Sequence, residues 1–304
     1  MKNYKVSVIV SSNPAQQIEK TIESIRNQSF GFDDIELIFI DNPATNESIQ
    51  VLNTLTNEFK NVKFYELPDG QNTISNQYNL GIESASGEYL VFLGMRDTFD
   101  YEFIEKVYNE ISENDLDIVK TSYYYGINEK QSYSRNLGRV IVPSDNLSIL
   151  VSYYNYLEPW ATIYRRNFLI DNGIRFKDVY NPYELFLFEV ECLTKTNNDI
   201  ILLDDYEGYY WNHEVEELSD IDIPVNQLSN VIENFTKMIY FLMENNQPKE
   251  CIETFLPFVL SFCGSSILNS RASKDELASF LYKASLGMDV EKMVDGQKVE
   301  GYYE

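Results

Sequence analysis

The stretch 87-GEYLVFLGMRD-97 decides the fold of this chain. Its centre, Tyr89 to Leu93, is a continuous apolar and aromatic run bounded by Gly87 and Gly94. This pattern is typical of a central parallel strand that is covered on both faces. Open α/β sheets bind their ligands at the carboxyl ends of such strands. The turn from Gly94 to Asp97 is therefore the first place to look for a functional site.

The sequence around this stretch alternates strand and helix patterns. The predicted strands are Val6–Val10, Ile35–Ile40, Val62–Tyr65, Tyr89–Leu93, Asp117–Tyr125, Glu158–Tyr164 and Ile200–Trp211, and the predicted helices are Ala15–Gln28, Thr45–Phe59, Ile74–Ser84, Tyr101–Ile111, Arg166–Asn172 and Tyr183–Lys195. Such alternation predicts an α/β fold with a mostly parallel sheet and helices on both faces.

The C-terminal third has a helical pattern. Apolar residues recur at three- and four-residue spacing in Val225–Glu244, Lys249–Leu268 and Lys274–Leu286. We therefore predict an α/β domain over 1–222, a helical subdomain over 223–288 and a polar tail over 289–304. The apolar run within the second of these helices is shorter than the ~20 residues that a membrane span needs, so we expect a buried helix and no membrane span.

Composition excludes several classes of partner. The 48 acidic residues outnumber the 24 basic residues and give a net charge of −24, which disfavours nucleic acids and anionic membranes. Three cysteines without a CxxC pair favour a reducing compartment. The N-terminus runs directly into a strand without a signal-peptide core. We therefore expect an acidic, soluble, cytoplasmic protein.

Several segments resemble the family-2 glycosyltransferases of GT-A fold in both order and spacing. They are Ser7–Val10, Ile18–Phe30 (IEKTIESIRNQSF), Ile35–Ser48 (IELIFIDNPATNES), Asn79–Ile82 and Ser86–Leu93. The likeness continues more weakly through Tyr164–Leu169 and Gly173–Phe176. It implies a GT-A fold, which has a Rossmann-like sheet, and a nucleotide sugar, of the UDP-sugar type, as ligand.

The resemblance places the Asp-X-Asp element of that family on Gly94, Met95 and Arg96, while the acidic residue that commonly follows is kept as Asp97. A single carboxylate disfavours a bound Mg²⁺ or Mn²⁺, so no metal ligand is assigned. Two readings of Arg96 stay open. Its guanidinium can meet the diphosphate in place of a metal, or it forms a salt bridge with Asp97 or Asp100.

By the same resemblance, nucleotide-sugar binding falls to Ser11, Asp41, Asn42, Asn79 and Asp97. The acidic run after the second strand keeps its first carboxylate, Asp41, but Asn42 replaces the second. An amide still hydrogen-bonds a base or a ribose. The usual aromatic residue after the first strand is also missing, which weakens the recognition of a uracil-type base.

The catalytic base of the resemblance maps to Glu184 when residues are counted forward from Phe176. Counting back from Phe186 places Pro182 and Tyr183 there instead. Glu184 is the candidate base, and the alternative is an ordinary first-turn acid that the helix dipole favours. The Tyr-rich segment from 126 to 157, with Arg135 and Arg139, is either a substrate-facing insertion or a solvated loop.

Three functions remain open at this point. The chain is a metal-independent or catalytically impaired glycosyltransferase acting on a cell-surface glycan or protein, with Arg96 and Glu184 in catalysis. Alternatively, it is a pseudoenzyme that serves as partner or scaffold of an active transferase, through its C-terminal helices or as a homo-oligomer. The third possibility is a carbohydrate- or nucleotide-binding module that uses its tyrosines as an aromatic platform.

Overall fold

The computed structural model describes residues 4–11, 18–41, 46–68, 73–94, 96–127, 130–152, 157–177, 183–212, 240, 242–249, 251 and 253. The chain divides into two compact units. The first comprises Met1–Pro143, Glu158–Asp178 and Thr196–Val215, and the second comprises Ser144–Leu157, Val179–Lys195 and Glu216–Glu304.

The elements within the described residues follow in chain order. The strands are β1 (Val6–Ser11), β2 (Ile35–Asp41), β3 (Val62–Glu66), β4 (Tyr89–Gly94), β5 (Thr98–Phe99), β6 (Ile118–Thr121), β7 (Tyr123–Tyr125), β8 (Gln131–Ser132), β9 (Arg139–Val142), β10 (Thr162–Arg165), β11 (Ile200–Leu203) and β12 (Tyr209–Trp211). The helices are α1 (Ile18–Arg26), α2 (Asn46–Glu58), α3 (Ile74–Ser84), α4 (Phe103–Glu113), α5 (Ser148–Ser152), α6 (Arg166–Asp171) and α7 (Tyr183–Lys195), and a short 3-10 turn covers Phe32–Asp34.

The first unit is built on an eight-stranded sheet in the order β3-β2-β1-β4-β10-β6-β11-β9. The block from β3 to β4 is parallel throughout, β10 runs antiparallel to both of its neighbours, and β6 and β11 pair in parallel. The predicted α/β fold with a mostly parallel sheet is confirmed. In this order β1, β2, β4 and β6 end at the same edge, which is therefore the ligand edge of an open α/β sheet.

Helices cover both faces of this sheet. Because side chains alternate along a strand, Val8 and Val10 of β1 share one face and join a core cluster with Ile22 of α1, Leu52 of α2 and Val107 of α4. Ile9 points to the other face, where a Cβ on Gly81 of α3 would lie 2.3 Å from its Cγ2. Gly81 therefore allows α3 to pack directly against the centre of the sheet.

Two predicted strands are each divided in the structure. The predicted strand Asp117–Tyr125 is β6 and β7, and the predicted strand Ile200–Trp211 is β11 and β12. β6 and β11 pair with each other in the large sheet, and β7 and β12, which follow them, pair with each other in a four-stranded sheet of order β5-β12-β7-β8. The two strands are therefore interrupted at corresponding positions. The continuous apolar pattern did not reveal that the two strands leave one sheet and enter another.

The second unit contains α5, which the sequence did not predict, and α7, whose bounds match the prediction. The amide of Gln247 accepts a hydrogen bond from the Leu147 N–H (2.8 Å) and donates to the Ser144 carbonyl (2.7 Å), which fixes the start of α5. The domain limits predicted at 222 and 288 lie outside the described residues, as do the predicted C-terminal helices apart from short pieces between 240 and 253. Within the described ranges, no helix combines the length and apolar character needed to cross a membrane.

Candidate functional site

The candidate site lies where β1 and β4 end side by side. Ser11 and Gly94 are register partners at the carboxyl ends of these strands, and Asp41 ends β2 next to them. The Ser11 hydroxyl donates to the phenol oxygen of Tyr78 (3.1 Å) and is nearly buried. The edge predicted from the sequence therefore brings Ser11, Asp41 and the turn after Gly94 to one place.

The turn after β4 is closed by Asp97. The Asp97 N–H donates to the Gly94 carbonyl (3.0 Å), and the Thr21 hydroxyl of α1 donates to the Asp97 carbonyl (3.0 Å). Asp97 is only 2% exposed, and its Oδ2 lies 2.6 Å from the point that a Cβ on Gly94 would occupy. Asp97 thus fills the space into which a side chain at position 94 would begin to project.

Two residues of the last strand region hold the Asp97 carboxylate. The Tyr209 phenol donates to Oδ2 (2.7 Å), the Asn212 N–H donates to Oδ1 (3.0 Å), and the Asn212 amide also donates to the Arg96 carbonyl (2.8 Å). Burial, together with the nearby Asp97 charge, raises the pKa of Tyr209 well above its ordinary value, so the phenol remains a donor. Sequence reasoning missed both residues, although the aromatic run 209–211 was the available signal.

Arg96 is the exposed cation of this turn. The two acids that could neutralise it are engaged elsewhere, since Asp97 is bound as above and Asp100 accepts from the Tyr206 phenol (2.8 Å) and the Glu102 N–H (2.9 Å). Within the described part of the chain, Arg96 forms no ion pair. Of the two readings that the sequence left open, the salt bridge with Asp97 or Asp100 is not present.

The side chains of Gly94, Arg96 and Asp97 do not supply the oxygen ligands that a divalent cation needs. Gly94 and Arg96 offer no side-chain oxygen, and Met95 lies outside the described residues. Asp97 is buried and already accepts two hydrogen bonds, whereas Mg²⁺ and Mn²⁺ need several accessible oxygen ligands. Among the described residues, no group of three acidic, histidine or cysteine side chains is arranged to hold a metal.

The other predicted site residues have distinct positions. Asn79 lies on α3 and its amide donates to the Phe176 carbonyl (2.7 Å) and accepts from the Phe176 N–H (2.9 Å). It therefore holds the segment around Phe176 against α3, and its nucleotide-binding role stays a prediction. Asn42 lies outside the described residues. Glu184 is the second residue of α7 and belongs to the second compact unit.

An aromatic layer lies directly behind the site. Tyr78, which accepts the Ser11 hydrogen bond, has its ring 4.8 Å from that of Phe92 and 5.0 Å from that of Phe176, measured between centroids. Tyr164 of β10 packs on Phe92 at 5.7 Å. Because these rings are almost fully buried, they stabilise the carboxyl ends of β1 and β4 and do not form a ligand surface.

Comparison with known proteins agrees with this architecture. The family model described as "Glycosyl transferase family 2" matches residues 7–177. TarP of Staphylococcus aureus (strain N315), a poly(ribitol-phosphate) beta-N-acetylglucosaminyltransferase, is 28% identical over 243 residues, covering 78% of this chain and 72% of that protein. An uncharacterized glycosyltransferase of Haemophilus influenzae is 25% identical over 243 residues, covering 79% of this chain and 88% of that protein.

Among solved structures, residues 1–349 of S. aureus TarS in complex with UDP-GlcNAc superpose with a TM-score of 0.77 at 21% identity. The match covers 96% of this chain and 83% of the TarS chain. A complex of the same TarS fragment with UDP gives a TM-score of 0.76. The predicted GT-A fold is confirmed by this similarity.

Proposed function

Because this chain belongs to glycosyl transferase family 2, we propose that it transfers a glycosyl residue from a uridine nucleotide sugar to a cell-surface glycan, and that it does so without a metal at the turn after β4. The observation that carries the proposal is the exposed Arg96, which has no ion-pair partner among the described residues. The similarity to TarS structures that contain UDP-GlcNAc and UDP supports this choice of donor.

Glycosyl transfer requires that the departing diphosphate be neutralised. An acceptor hydroxyl attacks the anomeric carbon, the bond from that carbon to the diphosphate oxygen breaks, and the electron pair stays on the diphosphate. A guanidinium binds such an oxyanion through paired N–H donors, and the resemblance places Arg96 on the last position of the family's Asp-X-Asp element. The acceptor proton passes to a carboxylate, for which Glu184 remains the proposed base.

The Arg96 proposal is tested by calorimetry on the intact chain. Wild type, Arg96→Ala and Arg26→Ala are titrated with UDP-GlcNAc, UDP and uridine, with Mn²⁺ and with a chelator. Arg26 is the matched control, because it is an exposed arginine at the end of α1, at the opposite edge of the sheet. We expect Arg96→Ala to weaken UDP and UDP-GlcNAc binding about tenfold or more and to leave uridine unchanged, since a charged hydrogen bond is lost.

The remaining outcomes separate the competing functions. Equal affinities of Arg96→Ala and wild type, or binding that requires Mn²⁺, contradict the proposed role of Arg96. Binding without release of UDP in the presence of glycan acceptors identifies a binding module. Absence of nucleotide binding by the wild type leaves the scaffold function.

A further inference from the structure

A second cluster of side chains lies beside the turn after β4, in the same compact unit. The indole rings of Trp160 and Trp211 stack with 5.7 Å between centroids and 6° between planes. Both side chains are half-buried. Trp160 precedes β10 and Trp211 ends β12, so the pair joins the large sheet to the four-stranded sheet.

The pairing of β10 with β4 brings the start of β10 to the edge of the sheet where β4 ends. β10 pairs antiparallel with β4, with Ile163 opposite Val91 and Arg165 opposite Tyr89. Because this pairing is antiparallel, β10 begins at the edge where β4 ends, and an irregular segment, 157–161, with a positive φ at Ala161 leads into it. Trp160 stacks on Trp211, which precedes Asn212, and the Asn212 N–H binds Asp97, so the segment 158–160 lies near the turn that we assign to the diphosphate.

Hydrogen bonds hold this segment in place. The Tyr123 phenol donates to the Glu158 carboxylate (2.8 Å), while the buried Lys120 ammonium donates to the Glu158 carbonyl (3.1 Å) and to the Thr162 hydroxyl (2.9 Å). Burial, with the Glu158 charge next to it, raises the pKa of Tyr123 well above its ordinary value, so Tyr123 remains a hydrogen-bond donor. A carboxylate held in this way is pre-organised to bind a ligand hydroxyl.

The two carboxylates at this edge are held by neighbouring tyrosines. Tyr209 of β12 is the register partner of Tyr123 of β7. Tyr209 binds Asp97 and Tyr123 binds Glu158. Trp211 lies between Tyr209 and Asn212, which both contact Asp97. One short strand thus connects the indole pair to the turn of Arg96 and Asp97.

The order of the strands along this edge indicates which part of the substrates lies next to Glu158, Trp160 and Trp211. The nucleoside candidates Ser11 and Asp41 lie on β1 and β2, the turn for the diphosphate follows β4, and the indole pair comes next, at β10. A donor that extends in this direction brings its sugar to the end of β4, so the position beyond it suits the acceptor. Indole faces pack on the apolar face of a pyranose ring, and a carboxylate accepts hydrogen bonds from its hydroxyls.

We propose that Glu158, Trp160 and Trp211 form the acceptor subsite and that it takes an uncharged saccharide unit. This inference rests on the proposed function and names its acceptor class. The Glu158 carboxylate and the net charge of −24 both repel a polymer that carries a phosphate in every unit. The acceptor therefore differs in charge from the poly(ribitol-phosphate) named for TarP.

Intrinsic fluorescence tests the subsite directly, because Trp160 and Trp211 are the only two tryptophans of the chain. The intact protein is titrated, with UDP present, with the methyl β-pyranosides of glucose, galactose and N-acetylglucosamine, and separately with poly(ribitol-phosphate). We expect a saturable change of tryptophan emission with at least one pyranoside, at millimolar concentrations typical of single sugar units, and no change with the polymer.

Matched variants test whether the change of tryptophan emission comes from saccharide binding at Glu158, Trp160 and Trp211. Glu158→Gln keeps an acceptor for the Tyr123 phenol and is expected to weaken saccharide binding at least fivefold, whereas Glu207→Gln, a carboxylate two residues before β12, is expected to leave it unchanged. Thermal denaturation of both variants controls for folding. Trp160→Phe and Trp211→Phe each keep an aromatic ring and show which indole reports binding.

Three results would overturn the acceptor subsite. They are emission that responds to none of the pyranosides, binding of the polymer in place of the pyranosides, and equal affinities of Glu158→Gln and wild type. In the first of these cases, a change caused by UDP-GlcNAc but not by UDP places the transferred sugar at the indoles. The assay needs no turnover and no Arg96 contact, so a failed donor proposal is recognised separately, by calorimetry.

Discussion

At the scale of single residues, Gly94 and Asp97 depend on each other. Asp97 turns back so that its Oδ2 lies 2.6 Å from the Cβ position of residue 94, a distance that real Cβ contacts do not reach. The carboxylate can stay there only while residue 94 is glycine. Gly94 and Asp97 therefore form one unit, in which Tyr209 and Asn212 hold the only carboxylate of the turn from 94 to 97.

We predict that Gly94→Asp does not create a metal site. The new side chain displaces Asp97 from its two donors and adds a second carboxylate beside it, so the free energy of unfolding should fall by about 1–3 kcal/mol. Chemical denaturation measures the loss, and calorimetry with Mn²⁺ should show no binding. Gly94→Ala separates the steric effect from the charge. Micromolar Mn²⁺ binding by a Gly94→Asp protein of wild-type stability would refute the prediction.

At the scale of elements, a buried polar network joins the strands of the parallel block. Glu36 of β2 is fully buried and receives hydrogen bonds from Ser7 of β1 (2.5 Å) and from the N–H of Ser86 (2.7 Å), while Lys63 of β3 lies 2.6 Å from its Oε1. Gly87 allows this close approach, since a Cβ there would lie 2.6 Å from the Ser7 nitrogen. The network fixes the register of three neighbouring strands.

The Glu36 network predicts an acid-dependent stability. Burial alone would raise the pKa of Glu36, but the hydrogen bonds from Lys63, Ser7 and Ser86 outweigh it and lower the pKa below its ordinary value. A lowered pKa in the folded state contributes stability above the pKa of the unfolded chain, and this contribution is lost as the pH falls through the folded pKa.

We therefore expect Glu36→Gln to lower the free energy of unfolding by about 1–3 kcal/mol at neutral pH, because charged hydrogen bonds are lost. The difference from wild type should shrink as the pH falls below about 4.5, the ordinary value of this carboxyl. Denaturant titrations across this range measure it, with Glu66→Gln at the exposed end of β3 as control. A difference that stays constant with pH contradicts the assigned ionisation.

At the scale of the whole molecule, the dominant property is a net charge of −24. Excess charge of one sign destabilises the compact state through self-repulsion, and salt screens that repulsion. The same charge works against polyanionic ligands, whereas the exposed guanidinium of Arg96 attracts an anion locally. The net charge of the chain and the charge of Arg96 therefore have opposite effects on the binding of an anionic ligand.

We predict that the protein is stabilised by salt. Raising NaCl from low ionic strength to about 0.2 M, where the Debye length falls below 10 Å, should raise Tm by roughly 2–4 °C, equivalent to about 1 kcal/mol. Differential scanning calorimetry measures the shift, and sucrose at equal osmolality is the uncharged control. A Tm that falls with NaCl, or that rises equally in sucrose, would show that repulsion does not limit stability.

The sequence by itself determined the fold and the place of the site. The apolar run Tyr89–Leu93 and the alternation of strands and helices depend on local periodicity, which is written in neighbouring residues, and they gave the parallel sheet and its ligand edge. The resemblance to family-2 glycosyltransferases, and not periodicity, named Ser11, Arg96 and Asp97 as candidates, and their role in binding stays a prediction.

Only the tertiary structure decided how the site is built. Tyr209 and Asn212 reach Asp97 from more than 110 positions further along the chain, and Trp160 meets Trp211 only because β10 and β12 approach the same edge. No periodicity encodes such contacts, since they arise when two strands leave one sheet and pair again in another. For the same reason Glu158, which is followed by a proline and a tryptophan, gave no signal of a binding role in the sequence.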